Sequence, residues 1–288
     1  MSETSFSKRT SVVTVSYKSG ALLRQMLGSL PDGTETVVVN NAPEDEADLL
    51  DIVEGYERKT VITNPENTGF GAACNLGARH VGSEFVLFLN PDAQLKPGCI
   101  AALEEAADTF QKAVAFNPAM ADGNGKQLFK RSSVLLSREA HLPSGWPSRT
   151  RKVKVLNGAA LFIRKSAFDR VGGFDEKIFL YHEDDDLSIR LSLQAGELMF
   201  VREAEAIHKS GYSTPRAPET AALKAFHMGR SRVYATRKHG VSFARTKALA
   251  SSFFQLFSPV VVLSKRKRAK QWAFFKGVVS VTFPGANA

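Results

Sequence analysis

Residues 84–92 read Glu84-Phe85-Val86-Leu87-Phe88-Leu89-Asn90-Pro91-Asp92. A run of large apolar residues, ended at once by a polar turn, describes a strand buried on both faces. The run is too short for a helix of ordinary length. Its surroundings repeat the pattern. Towards the N-terminus lie three β-branched runs, Ser11–Ser16, Thr36–Val39 and Thr60–Thr63. Between and after them come segments that read as helices: 20–30, stopped by Pro31-Asp32-Gly33, then 44–57, then the small-residue stretch 69–81. Towards the C-terminus, Pro97 opens a helix at its favoured first-turn position, and Ala113–Phe116 is a fifth strand. Further strands at Asn157–Arg164 and Glu197–Val201 flank a helix over 183–195 that Gly196 ends. Strands alternating with helices predict an α/β fold, a mostly parallel central sheet with helices on both faces. Asp122-Gly123-Asn124-Gly125 predicts a tight turn. Residues 130–152, rich in Ser, Arg and Pro, predict a loop or lid.

The chain has 288 residues, 43% apolar and 23% charged, which allows a sizeable core. Its two cysteines, Cys74 and Cys99, form no Cys-x-x-Cys pair. That excludes a cysteine metal site or disulfide framework and points to a reducing compartment. Met1–Thr10 is polar and lacks the apolar run of a secretory signal. The net charge of +9 is unevenly placed. Glu219 is the last acid, and residues 220–288 hold 13 Lys and Arg. This divides the chain into a mildly acidic domain over 1–219 and a basic extension over 220–288, whose charge calls for a polyanionic partner.

Open parallel sheets bind ligands at the carboxyl ends of their strands. Here Ser16 and Tyr17 follow the first strand, Asn40 and Asn41 the second, Asn64 and Asn67 the third, and Asn90 to Asp92 the fourth. Asn and Asp favour turns in any case, but polar exits from four strands on one edge mark a ligand site. The segment from Asn67 through Gly69 to Asn75 lets backbone approach a phosphate at a helix N-terminus. It carries no Gly-Lys-Ser/Thr, so it is not a P-loop. No GxGxxG follows the first strand, which argues against an NAD-dependent dehydrogenase.

Asp92 is either a turn residue or a ligand for Mg²⁺ or Mn²⁺, hard cations that bridge phosphate oxygens. His208 would suit a second ligand beside it. Glu183-Asp184-Asp185-Asp186 places four acids at a helix start. The helix dipole favours acids there, but four adjacent like charges exceed what capping needs. The preceding Phe179-Leu180-Tyr181 offers an apolar wall that would raise a carboxylate towards a general base.

Taken together, Val12–Tyr17, Val37–Ala42, Asn67–Gly71, Leu89–Asp92, Gly172–Glu176 and Glu183–Leu187 with Arg190 resemble the inverting glycosyltransferases of family 2, which have a GT-A fold. The resemblance covers about residues 10–215. The Asn-x-Gly-Phe-Gly and Asn-Pro-Asp forms are similar to the bacterial rhamnosyltransferases of cell-surface polysaccharide synthesis. It implies a nucleotide-sugar donor, UDP- or dTDP-linked, held by Thr14, Ser16, Tyr17, Asn40, Asn41, Asn67, Gly69, Asn75 and Asn90. It implies a divalent metal on Asp92, at the last position of the family's DxD motif, with Asn90 in place of the first aspartate, and His208 beside it. Asp184, with Glu183, would be the catalytic base. The processive synthases' Gln-x-x-Arg-Trp motif is absent, which implies transfer of a single sugar to a glycan or lipid-linked acceptor. A nucleotidyltransferase that makes a nucleotide-sugar is the alternative enzyme. A non-catalytic nucleotide- or nucleic-acid-binding protein is the alternative class.

Within the extension, Phe253–Phe257 and Val260–Leu263 are too short to span a bilayer. Lys265-Arg266-Lys267-Arg268 and then Trp272, Phe274 and Phe275 follow. Aromatic groups beside a basic cluster predict an interfacial segment on anionic lipid, peripheral to the inner face of the cell membrane, with the domain in the cytoplasm. A C-terminal helix packed on the core is the plainer reading. Nucleic acid is not expected as the partner, since no recognition module accompanies the basic run.

Overall fold

The structure is a computed structural model and describes residues 8–209 and 218–281. Residues 1–7, in the polar N-terminus, and 210–217, just before the expected 219/220 boundary, lie outside it. Along the chain come β1 (Thr10–Ser16), α1 (Gly20–Leu27), β2 (Thr36–Asn40), α2 (Glu46–Glu54), β3 (Lys59–Thr63), α3 (Phe70–Ala78), β4 (Phe85–Leu89) and β5 (Ala93–Leu95). Then follow α4 (Cys99–Thr109), β6 (Ala113–Ala121), β7 (Gln127–Leu128), β8 (Arg151–Val153), β9 (Ala160–Arg164), α5 (Lys165–Arg170), α6 (Glu183–Gln194) and β10 (Glu197–His208). The basic extension forms α7 (Pro218–Lys238), α8 (Ala244–Leu256), α9 (Pro259–Val262) and α10 (Lys265–Val279). Among the described residues two compact units result: 8–176 with 184–209, and 177–183 with 218–281.

The first unit holds one sheet in the order β3-β2-β1-β4-β9-β6-β10-β5, with β7 beside β6 and β8 beside β10. Strands β3, β2, β1 and β4 run parallel, so their carboxyl ends share one edge. The strand read at 157–164 enters as β9, antiparallel between β4 and β6. Every residue of β1, β2 and β4 is buried, including the hydroxyl residues of β1 and Thr36 and Asn40 of β2. One face is covered by Leu23, Met26, Leu49 and Leu103 of α1, α2 and α4. The other is covered by Ala73 and Cys74 of α3 and by Leu187 and Leu191 of α6. The small residues of α3 serve this packing: a Cβ on Gly77 would lie 2.5 Å from Val13 Cγ1.

Several elements differ from their expected extents: α2 and α3 end three residues early, at Glu54 and Ala78, and β9 begins at Ala160. Helix α1 stops at Leu27, short of Leu30. Strand β6 continues through Asn117-Pro118 to Ala121, although proline lacks the N–H a central strand donates. The ladder is broken where the proline lies. Val201 of β10 pairs with Pro118 and Glu205 with Ala119, so residues 202–204 bulge out. Bulges are places where sheets accept proline. Beyond the bulge β10 runs on to His208, pairing antiparallel with β5, a short strand that alternation alone did not predict.

In the second unit α7 and α10 touch backbone to backbone. A Cβ on Gly229 would meet Phe274 O at 2.2 Å, and one on Gly277 would meet Phe226 O at 2.0 Å. Only glycine permits that approach. Val233, Ala248 and Val278 form the small core beside it. Segment 177–183 belongs to this unit: Phe179 stacks on His227 at 4.0 Å, and Leu180 O accepts a hydrogen bond from Ser231 Oγ at 2.8 Å. The polar sequence pattern carried no sign of this excursion.

Candidate active site

The strand exits converge as the topology requires. Asp92 follows β4 and is 3% exposed. Because β5 pairs with the end of β10, Ala93 lies opposite His208. His208 Nε2 then comes 3.2 Å from Asp92 Oδ1. Asn90 Oδ1, two residues before Asp92, is buried without a partner. A carboxylate and an unclaimed amide oxygen are hard donors that fit Mg²⁺ or Mn²⁺, and the imidazole adds a borderline nitrogen beside them. Among the described residues no group of three or more His, Cys, Asp or Glu could hold a metal ion. Asp92 and His208 would hold such an ion, and it would supply positive charge to the phosphates of a bound donor.

The expected donor contacts divide into two groups. Ser16 is buried, its Oγ 2.9 Å from Ser19 Oγ, and Tyr17 is half-buried with the Lys18 ammonium 5.7 Å from its ring centre. Thr14 lies buried in β1 with its hydroxyl unpartnered. The asparagines hold the phosphate-type loop. Asn41 Nδ2 donates to Asn67 Oδ1 at 2.9 Å and to Gly69 O at 3.3 Å. Asn41 Oδ1 accepts from Asn64 Nδ2 at 2.8 Å, and Asn67 Oδ1 accepts from Gly69 N at 3.0 Å. Gly69, at φ 86°, caps α3 in a conformation glycine adopts freely. Asn40 Oδ1 accepts from Ala42 N at 3.0 Å. Asn75 is committed elsewhere: it donates to Phe174 O and Glu176 Oε1 and accepts from Phe174 N, tying α3 to the Gly172–Glu176 loop.

Three of the four acids at the start of α6 meet a cation that the sequence reading did not foresee. Glu183 is buried. Asp186, fully buried, pairs with Arg190 Nε at 2.8 Å, one helical turn on. Asp184 and Asp185 share Lys130, whose Nζ lies 2.6 Å from Asp184 Oδ2 and 2.9 Å from Asp185 Oδ1. Asp184 Oδ2 also accepts from Gly158 N at 2.9 Å, and its Oδ1 accepts from Asp185 N at 2.8 Å. Burial works against the Lys130 ammonium, but the two carboxylates outweigh it and hold its pKa above the ordinary lysine value. A cation thus faces Asp184 and Asp185, which the sequence reading did not expect. The acid run itself was the missed signal, since like charges that close demand a counter-charge.

Lys130 sits in the 130–152 segment, which is anchored at several points. Trp146 Nε1 donates to Met120 O at 2.9 Å, and Trp146 carries Arg202 over its ring at 5.0 Å. Arg202 N donates to Thr150 Oγ1 at 2.8 Å. A cleft of about 440 Å³ lies beside Lys130, lined also by Phe129, Arg131, Ser132 and Ser144. A second groove, of about 530 Å³, lies between α1 and α2 and touches the strand ends only through Lys18.

A strand edge with a phosphate-type loop, a candidate metal pair and a held carboxylate defines the GT-A class of nucleotide-sugar transferases. The sequence profile of Glycosyl transferase family 2 matches residues 11–172, and the chain belongs to that family. The chain is 29% identical over 293 residues to N-acetylglucosaminyl-diphospho-decaprenol L-rhamnosyltransferase of Mycobacterium tuberculosis, covering 90% of this chain and 95% of that one. It is 28% identical over 165 residues to the rhamnosyltransferase WbbL of Escherichia coli, covering 49% of this chain and 60% of that one. Among solved structures, the fold is similar to that of the mannosyltransferase PcManGT of Pyrobaculum calidifontis in complex with GDP-Man and Mn²⁺. There the TM-score is 0.58 at 15% identity, covering 96% of this chain and 88% of that one. This protein is a glycosyltransferase. Nothing in these comparisons supports a nucleotidyltransferase or a non-catalytic binding protein.

Proposed function

We propose that the enzyme moves one sugar, rhamnose first among candidates, from a UDP- or dTDP-sugar to a lipid-linked glycan acceptor in cell-surface polysaccharide synthesis, inverting the anomeric carbon. The observation that carries this reading is the meeting of Asp92 with His208 at the carboxyl edge of the parallel strands. The rhamnosyltransferase names of the two relatives support the choice of sugar, and the diphospho-decaprenol substrate named for one supports the acceptor. A divalent cation on Asp92 and His208 would supply positive charge to the departing diphosphate. The N-terminus of α3, freed by Gly69, adds its N–H groups to the same end of the donor. Asp184 accepts the proton of the acceptor hydroxyl, whose oxygen forms the new bond as the diphosphate leaves with its electron pair. No covalent intermediate on the protein is required.

The test is nucleoside diphosphate release from dTDP-rhamnose and UDP-sugars, with an N-acetylglucosaminyl-diphospho-lipid as acceptor, with Mn²⁺ or with EDTA. We expect release that depends on both acceptor and metal. Release of inorganic diphosphate from a nucleoside triphosphate and a sugar phosphate would favour the nucleotidyltransferase. Binding without turnover would favour a non-catalytic protein.

The extension fits a membrane surface. No described helix is long and apolar enough to cross one. Lys265 to Arg268 are all exposed, each worth about 1 kcal/mol near an anionic leaflet. Phe254, Phe257, Val260, Leu263 and Trp272 are exposed nearby in the sequence, Leu263 at 86%. Removing α8 to α10 would strip the backbone contact from α7, so substitutions are the cleaner test. The variant K265E/R266E/K267E/R268E should lose co-sedimentation with anionic vesicles at low salt. F254S/F257S/L263S should lose the part that resists high salt. Sedimentation unchanged in both variants would refute membrane docking through this segment.

A further inference from the structure

The ladder between β6 and β9 pairs Ala115 with Ile163 and Phe116 with Phe162. At the next residue a side chain takes over from the backbone. Asn117 is 6% exposed and reaches the turn that enters β9. Its Oδ1 accepts from Asn157 N at 2.5 Å. Its Nδ2 donates to Asn157 O at 2.9 Å and to Ala160 O at 2.6 Å. One amide thus claims both polar groups of the Asn157 backbone, as a neighbouring strand would. Four consecutive N–H groups of this turn end on side-chain oxygens. Leu156 N donates to Ser188 Oγ at 3.0 Å, Asn157 N to Asn117, Gly158 N to Asp184 Oδ2 at 2.9 Å, and Ala159 N to Asn157 Oδ1 at 2.9 Å. At the far end Ala159 O accepts from Asn90 N at 2.9 Å. Side chains therefore set the conformation of the turn.

The third of those N–H groups touches the candidate base. Gly158 lays its peptide against the carboxylate: an added Cβ would lie 3.2 Å from Asp184 Cβ and 3.4 Å from Oδ2. Asn157 O and Gly158 N belong to the same peptide unit, which is planar and trans, so its C=O and N–H point opposite ways. The Asn117 donor on the oxygen thereby fixes the direction of the N–H. On the reading of Asp184 as the base, we infer that Asn117 is a positioning residue for sugar transfer: by gripping the Asn157–Gly158 peptide it aims the Gly158 N–H at Oδ2 and holds the carboxylate where the acceptor hydroxyl arrives. Asn117 acts through the turn and not on the reacting atoms. Without the grip the peptide is free to rotate, and Asp184 loses a fixed donor. A shift of about 1 Å in a reacting group costs on the order of 10²-fold in rate.

The test is single-turnover transfer and donor KM for the full-length enzyme, N117L, D184N and N117L/D184N, with thermal melting curves to show which are folded. N117L keeps the approximate shape and removes both halves of the grip. It should lower the single-turnover rate by about 10- to 10²-fold, with donor KM nearly unchanged, since ground-state binding of the donor is not involved. On the D184N background the same substitution should cost less than about threefold, because the group it positions no longer acts as a base. A merely structural role would cost the same on both backgrounds. N117L at the wild-type rate overturns the inference, and so does an equal loss on the two backgrounds. If N117L does not fold, N117S decides by the same cycle, since its single hydroxyl cannot hold Asn157 N and O together. D184N with wild-type turnover overturns the base assignment and this inference with it. A slow D184N with either of the first two results overturns the role of Asn117 alone.

Discussion

Replacing Asp92 with alanine is expected to lower kcat/KM for sugar transfer by about 10³-fold or more. A cation at a developing phosphate charge is worth several kcal/mol, and each 1.4 kcal/mol or so is tenfold in rate. Donor binding should weaken as well, since the same ion would hold the diphosphate in the ground state. D92N keeps the shape of this buried side chain and separates lost charge from lost packing: it should stay folded and remain nearly inactive. Donor KM and Mn²⁺ titrations of kcat, beside thermal melting curves, check all three points. Near-normal turnover of D92A in excess EDTA would remove both the residue assignment and the metal.

Asp184→Asn is expected to lower kcat by at least about 10²-fold, the usual scale for a lost general base, with donor affinity nearly unchanged. The asparagine still accepts from Gly158 N through its amide oxygen, so the turn before β9 stays in place. Lys130 keeps Asp185 as a partner at 2.9 Å, which limits the stability cost. Single-turnover measurements at saturating donor isolate the chemical step. Turnover like that of wild type would shift the role to Glu183, Asp185 or Asp186.

Much of the nucleotide half could be read from the chain alone. The runs at β1, β2, β3 and β4 are mostly apolar or β-branched, and the turns after them are polar, so strand, edge and ligand end follow from residue type. What lay beyond reading were pairings distant in sequence. Nothing local predicts that β9 enters antiparallel beside β4, or that β5 forms at all. Both depend on partners roughly 70 to 115 residues away. Strand β6 runs on past Phe116 through Pro118, which only the partner strand's irregularity makes acceptable. The site divides the same way. Asp92, His208 and Asp184 stood out by residue type and position. Lys130 did not, because an ordinary lysine after a turn acquires meaning only when the fold carries it to an acid cluster. The hydrogen bonds of Asn75 were equally out of reach, since its amide joins the Phe174–Glu176 segment about 100 residues on.

The excursion at residues 202–204 has a bearing on how the chain tolerates change in length. Side chains along a strand alternate faces, so His208 reaches Asp92 only if the spacing between the bulge and the pairing with Ala93 keeps its parity. Insertion or loss of one residue within the paired stretch Glu205–His208 would turn the imidazole to the opposite side of the sheet unless the pairing slipped to compensate. The hairpin tip at Asp122–Gly125 carries no such constraint, because its turn is bound only to itself. Related sequences should therefore vary freely in length at that tip and hold a constant count at 205–208. The count acts as a ruler between the folding framework and the candidate metal ligand, set by the geometry of the pleat rather than by the identity of any residue in it.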